Sequence, residues 1–488
     1  MDKIQFQCSG CGKGLSAPAD RAGKNGNCPS CGTLITIPAP APSTEQTRGT
    51  DNEIRFACSS CGKVVIAPPD KAGKTAKCPA CSVALQIPQS RDYYKRNLVA
   101  ASETLLKVFE LQDSAEDQQV ATWLETAEKS VREVLVSPCL PWLPPGFEVT
   151  ALSVLGQRYE LGGRLAEAQV TLEKALALGR SKGYTGQERI VADTLGDIYG
   201  DAALRAAESQ QFHEAAAIAL KLNELIRSHR ETKSFQFAKH VSTLLMVASE
   251  ALGKMMDSQR QGEAGQNSKG FTLADQCIQA VQQLPDLSPN IAATVHGLLG
   301  FRYRLDDRDD EAQEMLETAL ALGECSGFVL NQEGLYAELL AGLYDVAALS
   351  QVQTEQFDEA ATTVSKLSAL VERFQRHQEF HLLKHRSALL LCKGDILWLR
   401  GEFDAALRLY RELIEPPLVE YLASEPSLRW VLGTSHAQIG LVNLRGGHLQ
   451  EAILFLQEAL SYFDPTDKRF RRAETLLNEA KSQEAAAY

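Results

Sequence analysis

Apolar residues recur every three to four positions from about residue 91 to near the end of the chain. This region is rich in Ala, Leu and Glu and contains few runs of β-prone residues. A period near 3.6 residues is typical of amphipathic helices. The pattern therefore predicts that most of the chain is α-helical.

Three helical segments repeat one motif, namely LGQRYELGGRLAEAQVTLEKALALG (155–179), LGFRYRLDDRDDEAQEMLETALALG (299–323) and IGLVNLRGGHLQEAILFLQEAL (439–460). Each has a large apolar residue followed by Gly, then a polar turn, then Ala, Leu and Ala at steps of four and three. Small residues let two antiparallel helices approach closely, and larger residues fill the space between neighbouring pairs. The motif resembles the tetratricopeptide repeat (TPR) family over roughly 91–466. This resemblance implies a mostly α fold, a TPR α-solenoid of about eight helical pairs.

A longer period is superimposed on the motif, because residues 192–216 recur at 337–361 with a shift of 145. A duplicated block explains this spacing. Residues 253–270 interrupt the first block, and their polar, Gly-containing composition predicts a mobile loop. The predicted helical regions are a degenerate first pair (91–137), TPR block 1 (149–287), TPR block 2 (293–416), a final TPR (433–466) and a polar capping helix (468–484).

The N-terminal residues contain one cysteine frame twice, Cys-x2-Cys-x16-Cys-x2-Cys. Residues 4–38 and 54–88 share 18 identities in 35 positions. Four thiolates in two close pairs can surround one zinc ion. The eight candidate ligands are Cys8, Cys11, Cys28, Cys31, Cys58, Cys61, Cys78 and Cys81.

This frame resembles the four-cysteine zinc ribbons at the N-termini of bacterial multidomain proteins. The resemblance implies two small β modules, ribbon 1 (1–38) and ribbon 2 (54–90), joined by a flexible linker (39–53). Each module would hold one structural zinc ion, and four-cysteine sites also accept iron. Glycine follows the second cysteine of a knuckle in most places, but Ser82 stands where ribbon 1 has Gly32. We expect backbone strain at Ser82.

Charge is unevenly distributed along a chain whose net charge is −12. Residues 1–90 contain ten basic and six acidic side chains, which leaves 40 basic and 56 acidic for the rest. Neither part has the strongly basic balance typical of nucleic-acid binders. No apolar run is long enough to span a membrane, and the first residues lack the apolar stretch of a secretory signal. We therefore expect a cytoplasmic protein without membrane contact.

Motifs of enzymes are not recognisable in the chain. His377, His381 and His385 are spaced four apart, but Glu379 is one position too late for the zincin motif His-Glu-x-x-His. We interpret these histidines as ordinary surface residues. The sequence thus predicts a protein that is not an enzyme and has no small-molecule substrate.

The TPR resemblance implies a partner-binding groove lined by the first helix of each pair. Eight acidic side chains map to groove-facing positions: Glu160, Asp193, Asp197, Asp201, Glu250, Glu338, Asp345 and Asp395. Phe301 and Trp398 map there as apolar anchors, and the opposing bases are Lys254, Arg304 and Arg445. This excess of acids favours a basic or neutral protein or peptide as the partner.

These features predict a protein–protein interaction scaffold in which the zinc ribbons are a second contact module. The alternative is a nucleic-acid-associated regulator whose ribbons contact RNA or DNA. Lysines and arginines in the ribbons favour that alternative, whereas the near absence of aromatic residues for base stacking argues against it.

Overall fold

A computed structural model describes residues 3–7, 13–18, 25–36, 53–111, 117–144, 146–184, 188–231, 235–262, 267–378 and 380–486. The chain divides into two compact units, Met1–Ile198 and Tyr199–Tyr488. The boundary falls inside one helix. Nearly all of the predicted linker 39–53 lies outside the described residues.

Four two-stranded antiparallel hairpins form the β part of the described chain. Their strands are β1 (Lys3–Gln7), β2 (Gly14–Pro18), β3 (Asn25–Asn27), β4 (Leu34–Thr36), β5 (Ile54–Ala57), β6 (Val64–Ala67), β7 (Thr75–Lys77) and β8 (Ala84–Gln86). The same pair of hairpins occurs in each copy of the cysteine frame. Strand alternation explains the burial in β5, where Ile54 and Phe56 are buried and face inward.

Eighteen helices fill the rest of the described residues. In the first unit they are α1 (Arg91–Leu111), α2 (Asp117–Leu135), α3 (Gly146–Leu161) and α4 (Leu165–Lys182). Helix α5 (Glu188–Glu208) contains the unit boundary. The second unit continues with α6 (Phe212–His229), α7 (Phe237–Arg260), α8 (Asn267–Gln282), α9 (Pro289–Arg304), α10 (Asp309–Ser326), α11 (Glu333–Gln353), α12 (Phe357–Phe374), α13 (Leu382–Leu399), α14 (Phe403–Leu413), α15 (Leu418–Ser424), α16 (Arg429–Arg445), α17 (Leu449–Tyr462) and α18 (Lys468–Ala486).

Consecutive helices pack as pairs in the described contacts, namely α1 with α2, α3 with α4, α7 with α8, α9 with α10, α11 with α12, α13 with α14, and α16 with α17. The prediction of a mostly α fold with about eight TPR-type helical pairs after small β modules is confirmed. Helix α15 is a short extra element, and α18 packs on α17.

Repeated glycines explain how closely the paired helices pack. A Cβ added at Gly300 would lie 2.6 Å from Leu316 Cγ, and one at Gly440 would lie 2.7 Å from Leu456 Cγ. Gly156 has the same relation to Leu172 in the first unit. These leucines are fully buried. A larger residue at the glycine position would therefore push the two helices apart.

The prediction of a mobile loop at 253–270 was wrong for residues 253–260 and 267–270, and residues 263–266 lie outside the described part of the chain. Helix α7 extends to Arg260 and α8 begins at Asn267, so most of this segment is helical. Met255 explains the extension, because its side chain is fully buried and lies 2.6 Å from the Cβ position of Gly270. Apolar burial at this one position outweighs the polar composition around it.

Candidate metal centre and interaction surfaces

Three of the cysteine knuckles in the described residues have the same backbone. The amide of Gly62 donates to the Cys58 carbonyl at 2.9 Å, and the Cys58 amide donates to the Lys63 carbonyl at 2.9 Å. The corresponding bonds occur at Cys28 and at Cys78, with lengths between 2.8 and 2.9 Å. These bonds fix the turn that points both cysteines of a knuckle toward the same point.

The sulfur atoms of ribbon 2 have the geometry of a tetrahedral metal site. Cys58, Cys61, Cys78 and Cys81 place their Sγ atoms within 4.8 Å of one another. The distances from Cys58 Sγ to Cys81 Sγ and from Cys61 Sγ to Cys78 Sγ are both 3.8 Å. Zinc–sulfur bonds of about 2.3 Å in a tetrahedron require sulfur–sulfur distances of about 3.8 Å. The four residues therefore fit zinc, and no fifth protein ligand or open position is needed.

Hydrogen bonds from the knuckle backbone also lower the pKa of two of these thiols, which favours the binding of a cation. Backbone N–H groups of Cys61 and Ser60 lower the pKa of Cys58 to about 6, and the N–H of Ala80 lowers the pKa of Cys78. The N–H of Lys63 acts on Cys61 in the same direction, but burial and the neighbouring sulfurs raise the pKa of Cys61 to about 11. The neighbouring sulfurs therefore oppose ionisation of Cys61 unless a cation offsets their charge.

Ribbon 1 is described in part. Cys28 is buried and Cys31 is exposed, in the same order as Cys78 and Cys81 of ribbon 2. Cys8 and Cys11 lie outside the described residues. The second zinc site therefore stays a prediction.

Ser82 occupies a left-handed backbone conformation, with φ of 60°. Gly32 and Gly62 have φ of 73° and 70° at the matching places. Left-handed backbone is unfavourable for residues with a Cβ atom. The strain expected at Ser82 is thus located at the last knuckle of ribbon 2.

All of the residues mapped to a groove lie on the first helix of their pairs. In the first unit, Glu160 is on α3, and Asp193 and Asp197 are on α5; all three are partly exposed. In the second unit, Asp201 is exposed on α5, and Glu250 on α7 is a third exposed beside Lys254, at 3.3 Å. These five acids are accessible to a partner.

Glu338 and Asp345 are withdrawn from solvent by a histidine. His385 on α13 has no exposed side-chain surface, and its Nδ1 lies 2.7 Å from Asp345 Oδ2. Its Nε2 lies 2.7 Å from Glu338 Oε2. Glu338 also accepts hydrogen bonds from the backbone N–H of His381 at 2.9 Å and from Lys384 Nζ at 3.0 Å.

The interpretation of all three histidines as surface residues was therefore wrong for His385. His381 precedes α13 and is 68% exposed, and His377 lies in the preceding turn. The spacing Glu338–Asp345 was the available signal, because residues seven apart lie on one helix face. Sequence reasoning missed that this face meets α13.

Two ring nitrogens facing two carboxylates favour a protonated imidazole, because only imidazolium donates from both nitrogens. Burial by itself would lower the pKa of His385, but the hydrogen bonds to Asp345 and Glu338 outweigh it and raise the pKa. Burial likewise opposes ionisation of Glu338, yet His385 and its other donors lower the pKa of Glu338. For Asp345 burial prevails, and the pKa is raised.

The other mapped residues differ in accessibility. Phe301 is only 2% exposed and belongs to the core, so the structure does not offer it as a surface anchor. Asp395 accepts a hydrogen bond from the Tyr410 hydroxyl at 2.6 Å, and burial raises the pKa of Asp395 to about 6. Trp398 is partly exposed, with Arg445 5.2 Å from its ring centre. Arg304 pairs with Asp309 at 3.1 Å.

Among the described helices, none combines the length and the apolar character that a bilayer crossing requires.

No protein-family model matches the sequence, and no curated protein matches it. Similar solved structures include BtubC (BKLC) from P. vanneervenii, which is 16% identical in sequence. The match covers 53% of this chain and 95% of BtubC, and its TM-score is 0.28. The apo form of RapI has 11% identity, coverage of 81% and 98%, and a TM-score of 0.29. The quorum sensor NprR from B. thuringiensis has 12% identity, coverage of 76% and 99%, and a TM-score of 0.28.

Proposed function

We propose that this protein is a non-catalytic interaction scaffold of the cytoplasm. The first helices of its TPR pairs bind a basic or neutral protein or peptide, and zinc-bound ribbons provide a second contact. The observation that carries the proposal is the set of accessible acids on first helices, described above for each unit.

The acidic residues that map to the groove fall into two groups that differ in burial. Glu338 and Asp345 are engaged with His385, so they hold α11 and α13 together and are not available to a ligand. Asp193, Asp197 and Asp201 lie one helical turn apart on α5 and keep accessible surface. Partner binding is thus assigned to the accessible acids of the first helices within each unit, and charge complementarity there gives specificity.

Zinc in the ribbons has a structural role in this proposal. A four-cysteine site is closed, and catalytic zinc normally keeps one position for water or substrate. Each ribbon is also too small to fold by apolar burial alone. Metal binding therefore supplies the free energy that keeps each ribbon in shape.

The two ribbons differ on the face available for contact. Val64 and Ile66 of β6 are 53% and 55% exposed, because the alternate residue Val65 takes the buried side. Ribbon 1 has Gly14 and Ser16 at the equivalent places, both exposed. Since the described hairpins of ribbon 1 form without the apolar pair, Val64 and Ile66 support a contact role for ribbon 2.

Affinity capture from cells that naturally express the protein tests the acidic surface. The test variant is Asp193→Asn/Asp197→Asn/Asp201→Asn. The matched control removes three exposed acids from second helices, Glu214→Gln/Asp358→Asn/Glu359→Gln. We expect the test variant to lose partners that wild type and control both retain. Identical sets of captured proteins for the test and control variants would refute the acidic first-helix surface.

The ribbon contact is tested separately with Val64→Ser/Ile66→Ser, which gives ribbon 2 a polar face like that of ribbon 1. Zinc content should stay unchanged, since no ligand is removed. We expect weaker capture of a subset of partners. Capture that is unaffected would remove the ribbon from the proposal. Capture of RNA or DNA that declines steeply with salt would instead favour the nucleic-acid alternative.

A further inference from the structure

A cavity of about 580 Å³ opens in the first unit, on the side of α1 that faces the start of α3 and the end of α4. None of the motifs identified in the sequence includes it. Its volume is within the range of about 300–1,000 Å³ typical of small-molecule sites.

The wall of this cavity is built by the end of α4. Gly183 has a left-handed φ of 64° and ends the helix, and the next residue donates its amide to the Gly179 carbonyl at 2.9 Å. This turn sends the ring of Tyr184 across Gly146, where an added Cβ would collide with the ring. Gly146 is thus required for the position of Tyr184.

The duplicated block lacks this construction. A shift of 144 residues, which superposes the motif 155–179 on 299–323, places Asn290 at the position of Gly146 and Phe328 at that of Tyr184. Phe328 instead packs against Gly323 and Tyr336, with ring centres of the two aromatics 5.5 Å apart. The cavity is therefore a feature of the first unit and not a general consequence of the repeat.

The interior of the cavity is mainly apolar, and two of its hydroxyl groups already donate hydrogen bonds to the backbone. Leu98, Val99, Leu106 and Phe147 contribute apolar surface, and Val99 and Leu106 are 48% and 62% exposed. The hydroxyl of Ser102 donates to the Leu98 carbonyl at 2.9 Å. The Thr150 hydroxyl likewise donates to the Gly146 carbonyl at 2.7 Å. The backbone N–H and C=O groups of a bound peptide would lack hydrogen-bond partners in this interior, whereas an aliphatic tail needs no hydrogen bonds.

The rim of the cavity is mostly cationic. Arg91, Lys95 and Lys182 line it together with one carboxylate, Glu103. Arg91 lies 6.0 Å from the ring centre of Phe147, next to the apolar interior. Lys182 pairs with Glu148 at 3.6 Å and keeps 41% of its side chain exposed. The local charge is thus opposite to that of the acidic chain as a whole.

We propose that this cavity binds an amphiphile with an anionic head and an aliphatic tail, of the class of long-chain carboxylates. The tail lies along Val99, Leu106 and Phe147, and the carboxylate meets Lys95 and Lys182. This site is independent of the acidic surface proposed for protein partners.

Isothermal titration calorimetry of the full-length protein with sodium dodecanoate, below its micelle concentration, tests the proposal. Dodecyltrimethylammonium has the same tail with a cationic head and should bind at least tenfold more weakly. Val99→Glu places a carboxylate among the apolar residues, and we expect it to weaken dodecanoate binding at least tenfold. Lys182→Glu reverses charge at the rim and should weaken dodecanoate binding by a similar factor.

Lys107→Glu is the matched control, because Lys107 is an exposed lysine of the same helix outside the cavity lining. It should bind dodecanoate as wild type does. Circular dichroism establishes that each variant is folded, and Lys182→Glu decides the matter if Val99→Glu is not. No dodecanoate binding by wild type, equal binding by a folded Val99→Glu or Lys182→Glu, or equal binding of the two amphiphiles would each overturn the proposal.

Discussion

Replacing His385 by Phe should destabilise the contact between α11 and α13. The substitution keeps an aromatic ring in a side-chain position with no exposed surface but removes both N–H donors. Glu338 and Asp345 would each lose a hydrogen bond of 2.7 Å, and both are largely buried. Removing one partner from a buried ionic cluster costs about 3–5 kcal/mol, because the remaining charge is left uncompensated.

Native-state hydrogen exchange measures this loss where it occurs. Helical repeats open locally, so the opening free energy of α13 amides is the relevant quantity rather than one global value. We expect that free energy to fall by about 3–5 kcal/mol, and α3 in the other unit serves as the internal reference. His381→Gln is the matched control, since His381 is 68% exposed and its backbone N–H bond to Glu338 is retained. The Nδ1 atom of His381 also lies 3.1 Å from Glu338 Oε1, and the side-chain amide of Gln can donate to that carboxylate in its place. A loss below about 1 kcal/mol for His385→Phe, close to the range of surface substitutions, would refute the buried charge cluster.

The same cluster predicts how the stability of wild-type α13 depends on pH. A raised pKa of His385 means that its contribution is complete below the unfolded value of about 6.5 and is lost as pH rises through the folded pKa. A lowered pKa of Glu338 means that its contribution is present above about 4.3 and is lost in acid. The raised pKa of Asp345 means that its contribution is complete below the unfolded value of about 3.9 and is lost as pH rises through the folded pKa. The opening free energy should thus be greatest near pH 5–6.5 and decline toward pH 9. In His385→Phe the part of this decline that is due to the imidazole should be absent, whereas the part due to Asp345 remains.

Four further substitutions test the zinc site and the helix packing. Cys78→Ser should lower bound zinc by one ion per chain and remove amide protection in ribbon 2, while helical circular dichroism stays unchanged; loss of the helical signal would contradict independent ribbons. Ser82→Gly should stabilise ribbon 2 by about 1 kcal/mol, because glycine adopts the left-handed backbone without strain. Slower transfer of zinc to a chelator would show this stabilisation, and faster transfer would argue against strain at Ser82. Gly300→Ala should lower the stability of the second unit by about 1–3 kcal/mol in urea because its Cβ meets Leu316. Gly342→Ala, whose Cβ meets no atom within 4 Å, should instead add about 0.5–1 kcal/mol, and equal effects of the two would contradict the packing argument.

Helix identity and pairing were predictable from sequence because their causes are local. Gly300 contacts Leu316, which lies sixteen positions later in the second helix of the same pair. The same spacing recurs between Gly440 and Leu456. Apolar periodicity and the turn between two helices are enough to specify such a unit. The cysteine frame is local in the same sense, because each knuckle is closed by bonds among six consecutive residues.

Side-chain environments between helical pairs depended on the tertiary structure. His385 appears polar and ordinary in sequence, and it is buried only because α11 brings two carboxylates to α13. Met255 extends α7 because it is buried against Gly270 in the next helix. Tyr184 closes a cavity because it crosses Gly146, 38 positions earlier in the chain. One physical reason explains His385, Met255 and Tyr184. The burial and charge pairing of a side chain depend on which residues from distant parts of the sequence pack against it, whereas apolar periodicity specifies only the helix that carries it.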